Sequence, residues 1–189
     1  MFSEILRATG MYSDMDVRLF ERVVSVREVR RNEVLLQKGE VCRSLALILE
    51  GAVFQYKDNL EKERDIIDLH LPNEWVFNYT SLLGQKPSET FIEAFADSRI
   101  IELSLETVHY LTGKSLAFLQ LNRVLEGAVS RLQFFDQAMT PLEKYQFILK
   151  TRPQLVQVFP LKMIASYLKI TPETLSRVRE KMARGEDIS

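Results

Sequence analysis

The chain has 189 residues, enough for one large domain or two small ones, with 46% hydrophobic and 27% charged side chains and no apolar run near the ~18 residues that span a bilayer. Its single cysteine, Cys42, excludes an internal disulfide and any multi-cysteine metal or iron–sulfur site within one chain, and Met1 to Gly10 carries Glu4 and Arg7 where a secretion signal has an apolar core. A reducing, cytoplasmic location is expected. The net charge of −1 divides unevenly: residues 1–150 hold 18 Lys/Arg and 22 Asp/Glu, a net of −4, whereas residues 151–189 hold 7 and 4, a net of +3. The basic excess thus falls in the C-terminal segment, where phosphate contacts call for it, although a +3 segment also suits a solvated surface.

Residues 1–23 read as short amphipathic helices with Ile5, Leu6, Leu19 and Phe20 as core contacts. From Val24 to about Ser104 the character changes to short β-prone runs broken by turn residues: Val34 to Leu36, Leu45 to Leu49, Ala52 to Tyr56, Ile66 to Leu71, Phe91 to Ala96 and Ile100 to Leu103. Gly39 and Gly51 suit turns that need positive φ. Strands at this spacing argue for an antiparallel barrel or sandwich.

After Ser104 a helical period takes over. Phe118, Leu121, Leu125, Ala128, Leu132, Phe135 and Met139 alternate at spacings of three and four, which is an a/d seam. It predicts a helix packed along its length against another helix, either a second copy of the chain or the β-domain beside it; a dimer is the favoured reading, because a small β-domain covers so long a stripe poorly. Thr140-Pro141-Leu142-Glu143 then restarts a helix with a capping box, marking a boundary, and Arg152-Pro153 ends that helix.

Leu161 to Lys181 reads as two short helices joined by a tight turn. Leu161, Ile164, Ala165 and Leu168 face inward from the first, Ile170 plugs the angle, Thr171 caps the second at Pro172, and Leu175 and Val178 form its buried side. That is a helix-turn-helix pattern. If the second helix lies in a major groove, Pro172, Glu173, Ser176, Arg177 and Arg179 face the bases, while Thr171, Thr174 and Lys181 suit phosphates. A structural helix pair with a solvated charged face is the competing reading.

The order of β-roll, long helix and C-terminal helix pair resembles the Crp/Fnr family of transcription regulators over nearly the whole chain, and the stretch from Ile164 to Arg177 is similar to that family's recognition motif. The resemblance implies an α+β fold: a β-roll (jelly-roll-like) sensor domain over residues 1–115, a dimerisation helix over 116–139 and an all-α helix-turn-helix domain over 140–189. It implies that Glu173 and Arg177 read base edges. Its partners are then double-stranded DNA, a second copy of the chain and RNA polymerase; apart from the resemblance, no apolar run calls for a membrane, and no Gly-rich phosphate loop, metal-spaced histidine cluster or nucleophile elbow calls for an enzyme. Two departures stand out: Lys169 occupies the usual glycine of the turn, and Pro172 occupies a frequent base-reading arginine position. The chain also stops at Ser189, leaving little for the β-wing that commonly follows.

In cyclic-nucleotide-binding members a glutamate holds the ribose hydroxyl and an arginine neutralises the cyclic phosphate. The matching positions here are Glu74, followed by Trp75 and Phe77, and then Ser88, Glu89 and Thr90, with no arginine between Asn73 and Ala96. A serine and a carboxylate beside a phosphate remove a charge-assisted bond and add repulsion, so cyclic AMP is not expected to bind in the usual manner. Trp75, Phe77, Tyr79, Phe91 and Phe95 either line a pocket for a different small-molecule effector or form roll core. No cofactor is expected: Cys42 stands alone, and His70 and His109 lack neighbouring ligand patterns. A sensor or interaction module of the same fold that does not bind DNA is the alternative function.

Overall fold

The computed structural model describes residues 2–58, 64–132 and 139–184. Two helices open the chain, α1 (Phe2–Arg7) and α2 (Asp14–Val23), the second started by a capping box between Ser13 and Asp16. Eight antiparallel strands follow: β1 (Val26–Val29), β2 (Val34–Leu36), β3 (Ser44–Glu50), β4 (Val53–Asp58), β5 (Arg64–His70), β6 (Trp75–Val76), β7 (Phe91–Ala94) and β8 (Ser98–Ser104). They form two four-stranded sheets, ordered β1-β8-β3-β6 and β2-β7-β4-β5, with the short helix α3 (Tyr79–Gly84) between β6 and β7. This is the expected antiparallel roll. Gly51 turns β3 into β4 at φ +90°, where an added Cβ would collide with the Asp97 carbonyl and Ser98.

Strand alternation sorts side chains into separate cores. Ile48 and Ile100 point between the sheets, whereas their chain neighbours Leu47 and Ile101 pack outward with Leu6, Phe20 and Leu111. On the other sheet Val53 faces the interior, while Phe54 and Tyr56 face outward into a third core. That third core is shared with the C-terminal helices, through Ile148, Leu155, Ile164, Ala165 and Leu168. One sheet is therefore covered by the N-terminal helices and the other by the C-terminal ones.

The roll leads into α4 (Leu105–Lys114), capped by Ser104. The expected helix from Phe118 does not start there. Residues Leu116–Leu121 form a 3-10 segment, and the α-helix α5 runs Asn122–Leu132. Phe118 and Leu121 are buried within the chain, Phe118 against Tyr12 with ring centroids 5.5 Å apart, so these two positions belong to the N-terminal core and not to an intermolecular seam. At this end of the stripe the covering surface is the chain's own, one of the two that the spacing allows, because a spacing of three and four does not say whose surface covers it. Leu125 is half-buried beside Val124 on the roll. Phe135 and the side chains of Ala128 and Leu132 lie outside the described residues, and Met139 stands just before the cap of the next helix.

Four helices complete the described chain: α6 (Pro141–Thr151), α7 (Leu155–Val158), α8 (Leu161–Tyr167) and α9 (Pro172–Ala183). The capping box at Thr140 and Glu143 forms as the sequence implies. Strand β5 is the edge of its sheet, and the helical head meets its open backbone groups: Ser166 Oγ accepts from the Ile66 amide at 2.9 Å, Lys169 Nζ donates to the Ile66 carbonyl at 2.8 Å, and Arg152 Nη2 donates to the Leu69 carbonyl at 2.6 Å. Covering an edge in this way removes a template for strand addition.

Candidate nucleic-acid interface and effector pocket

The α8–turn–α9 unit carries the first candidate site. Ile164, Ala165 and Leu168 from α8 and Leu175 and Val178 from α9 are buried together. Ala165 is fully buried, as close crossing of two helices requires. Lys169 adopts φ +57°, the left-handed conformation that a glycine would take more cheaply, and its ammonium is held by Asp65 at 2.6 Å. Thr171 caps α9, its Oγ accepting from the Thr174 amide at 3.2 Å.

With Leu175 and Val178 turned inward, Pro172, Glu173, Ser176, Arg177, Arg179 and Lys181 are exposed. Thr171 is exposed and Thr174 is half-buried, with its hydroxyl 3.0 Å from that of Thr171. The structure therefore brings the expected base-facing and phosphate-facing residues onto one end and one side of α9. The Glu173 carboxyl is held below the usual carboxylate range by its own backbone amide, then by the Thr171 hydroxyl and, more distantly, by Arg177. It is an ionised acceptor at neutral pH, as a cytosine amino group requires. Arg177, one turn further along, can donate two parallel bonds to a guanine edge.

The roll holds the second candidate, a cavity of about 160 Å³ lined by Gln55, Asp68, His70, Trp75, Phe77, Asn78, Tyr79 and Thr90 among others. That is below the ~300 Å³ at which small-molecule sites begin. Its polar side chains already bond one another: Asn78 Nδ2 donates to Ser88 Oγ (3.0 Å) and Thr90 Oγ1 (2.7 Å), Gln55 Nε2 donates to Thr90 Oγ1 (2.7 Å), and Ser88 Oγ donates to the Thr90 carbonyl (2.7 Å).

Three of the proposed pocket residues are elsewhere. Glu74 does not face the cavity; its carboxylate caps the Leu71 amide at 2.9 Å and accepts from Arg152 Nη2 at 2.7 and 2.8 Å. Ser88 is buried behind the cavity wall, and Glu89 points outward, paired with Lys57 at 2.8 Å. The aromatic set is split too: Trp75, Phe77 and Tyr79 line the cavity, whereas Phe91 and Phe95 pack toward the head, Phe95 lying 4.9 Å from Phe159.

Arg152 is the residue that reading the sequence missed. It joins the end of α6 to the roll, with Glu74, the Leu69 carbonyl, the Tyr167 hydroxyl at 3.1 Å and Asp68 at 3.7 Å around it. Burial works against its charge, but Glu74, Tyr167 and Asp68 outweigh that and hold it above the ordinary guanidinium value. Burial, and then Asp68, pushes the Tyr167 hydroxyl well up. Only the Arg-Pro step pointed to this position, as a helix end.

Residues 26–114 match the family model of the cyclic nucleotide-binding domain. Similar solved structures extend past that segment into the head. The matched segment is thus similar to a cyclic nucleotide-binding domain, and the fold of the chain is shared with the solved structures that follow. FixK2 from Bradyrhizobium japonicum is 20% identical, with 86% of each chain covered and a TM-score of 0.68. The catabolite activator protein of Thermus thermophilus is 20% identical over 92% of this chain and 84% of that one, with a TM-score of 0.51. A protein described as a transcriptional regulator of the crp/fnr family from Eubacterium rectale is 14% identical over 94% and 88%, with a TM-score of 0.61. No curated protein sequence matches the chain. In this shared fold the helix pair α8–α9 stands at the C-terminal end, and the segment that matches the family model comprises the roll and α4.

Proposed function

We propose that this chain is a transcription regulator that binds double-stranded DNA as a homodimer, reading an inverted repeat with α9. The observation that carries the reading is the α9 face itself: five charged side chains, Glu173, Arg177, Arg179, Glu180 and Lys181, are exposed on a helix whose opposite side is anchored by Leu175 and Val178. The proposed division is a roll over 1–115, a connecting segment over 116–139 in which α5 serves the dimer, and a reading head over 140–189. Dimerisation is supported by the apolar surface around Leu125, where Leu83 and Leu119 are each more than half exposed. The mutual hydrogen bonding of Gln55, Asn78, Ser88 and Thr90 and the engagement of Glu74 by Arg152 support an effector domain that does not take up cyclic AMP in the usual way. No helix among the described residues is long and apolar enough to cross a membrane.

The experiment is selection of bound sites from random duplex DNA, followed by binding to the selected site at two salt concentrations. The selected sites are expected to be inverted repeats with half-sites about one helical turn, ~34 Å, apart. Affinity is expected to fall steeply with salt as counterions are released. A chain that selects no sequence and shows no salt-dependent shift is a sensor or interaction module instead.

A further inference from the structure

The turn between α8 and α9 is tied to the roll at one residue of strand β5. Ser166 Oγ accepts from the Ile66 amide at 2.9 Å, and Lys169 Nζ donates to the Ile66 carbonyl at 2.8 Å and to Asp65 Oδ1 at 2.6 Å. Because β5 is an edge strand, these two side chains meet the outward N–H and C=O of Ile66 as a neighbouring strand would. Lys169 makes its contacts from φ +57°, a conformation that costs more for a residue with a Cβ than for glycine. A glycine would relax the turn and reach neither Ile66 nor Asp65. The strained backbone is therefore kept together with a contact between head and roll, and strain of this kind marks a functional constraint.

The place of this clamp gives it leverage. It stands just before Pro172, the first residue of α9. Between the two, the Ile170 amide donates to the Ala165 carbonyl at 3.0 Å and Thr171 caps the helix, so the turn is bonded throughout. Helix α9 has 12 residues and so extends ~18 Å from the clamp, and a small rotation at its start is carried to its far end. The core that head and roll share beneath the clamp is apolar, and apolar attraction is non-directional. Hydrogen bonds to the N–H and C=O of one residue are directional, and they fix an angle.

We propose that Ser166 and Lys169 are positioning residues: they set the angle at which α9 leaves the roll, and in the dimer that angle sets the half-site separation the protein accepts. The inference rests on the DNA reading proposed above. Neither residue acts by touching DNA. The Lys169 ammonium is engaged by Asp65 and Ile66 and the Ser166 hydroxyl by the Ile66 amide, so both act through α9.

The test compares the full chain with the double variant Ser166→Ala, Lys169→Gly, which removes both bonds and relaxes the turn. Without DNA, spin labels on the exposed positions Lys38→Cys in the roll and Glu180→Cys in α9 report the distance across the clamp. Labelled chains are diluted with unlabelled ones so that pairs within one chain dominate, and Cys42, buried with its thiol pushed up by burial, stays unlabelled. The full chain is expected to give a single narrow distance distribution, and the variant one at least about twofold wider. With DNA, affinity is measured for the selected inverted repeat and for the same repeat with two base pairs inserted at its centre, which moves the half-sites ~7 Å further apart and turns one against the other by ~70°. The full chain is expected to prefer the original spacing by at least about tenfold, and the variant by less than about threefold. A merely structural loss lowers both affinities alike and leaves that ratio unchanged. An unchanged melting temperature confirms that the variant is folded; Lys169→Gly alone, expected to keep less than about half of the preference, serves if it is not. An unchanged distance distribution or an unchanged spacing preference in a folded variant overturns the proposal. If the full chain binds no DNA, the regulator reading fails, and the distance distribution still decides whether Ser166 and Lys169 hold α9.

Discussion

On the outer face of α9, Glu173, Ser176, Arg177 and Arg179 project into solvent, whereas at the roll cavity Gln55, Asn78, Ser88 and Thr90 direct their hydrogen bonds to one another. The difference lies in what a ligand must displace. A base edge or phosphate arriving at α9 displaces water from groups held on a rigid helix. A ligand arriving at the roll cavity must compete with four internal hydrogen bonds among these side chains and the Thr90 carbonyl. One region leaves its polar groups to solvent and the other bonds them internally.

The strongest way to break this comparison is to release the roll's internal partner. Arg152→Ala leaves Glu74 and the buried Asp68 facing one another with no cation between them, and it orphans the Leu69 carbonyl. We expect a loss of about 2–4 kcal/mol in urea denaturation, because removing one member of a largely buried pair strands the charge that remains. A change within experimental error means that the pair contributes nothing to the junction between roll and head.

A smaller effect tests how closed the outer side of the roll is. Burial, and then the hydrogen bond to Glu93, pushes the Tyr56 hydroxyl from its ordinary 10.0 up to about 12. A raised folded pKa means that the stabilisation is complete below pH 10, where the unfolded chain is still neutral, and is lost as pH rises through about 12. Urea midpoints should therefore drop between pH 10 and 12, and Tyr56→Phe should reduce that drop. Equal slopes in the two proteins place the alkaline sensitivity elsewhere, Tyr12 and Tyr167 being raised as well.

Much of this was legible in the residues. Turn glycines and alternating apolar runs marked the roll, and the spacing of Ile164, Ala165, Leu168, Leu175 and Val178 marked the helix pair, because local burial follows local period. Strands β1 and β6 and helix α7 went unread: Val26–Val29 has two charged residues at its centre, and the other two elements are only two and four residues long. The break at Leu116–Leu121 was hidden because a 3-10 segment and an α-helix both bring residues three apart to one side. The pairing of Glu74 with Arg152 spans 78 residues and depends on how the head docks, which no local pattern encodes.

The account rests most heavily on Arg177 as a reader of sequence. The direct measurement is the affinity of Arg177→Ala for the selected inverted repeat and for random duplex DNA, beside Lys181→Ala on the same two DNAs. Arg177→Ala is expected to lose ~1–3 kcal/mol on the selected site and less on random DNA, because a base contact acts mainly in specific binding. Lys181→Ala is expected to weaken both about equally and to flatten the salt dependence by one phosphate contact. Equal losses on both DNAs for Arg177→Ala would contradict the account, since Arg177 would then be touching phosphate and the reading face of α9 would lie elsewhere.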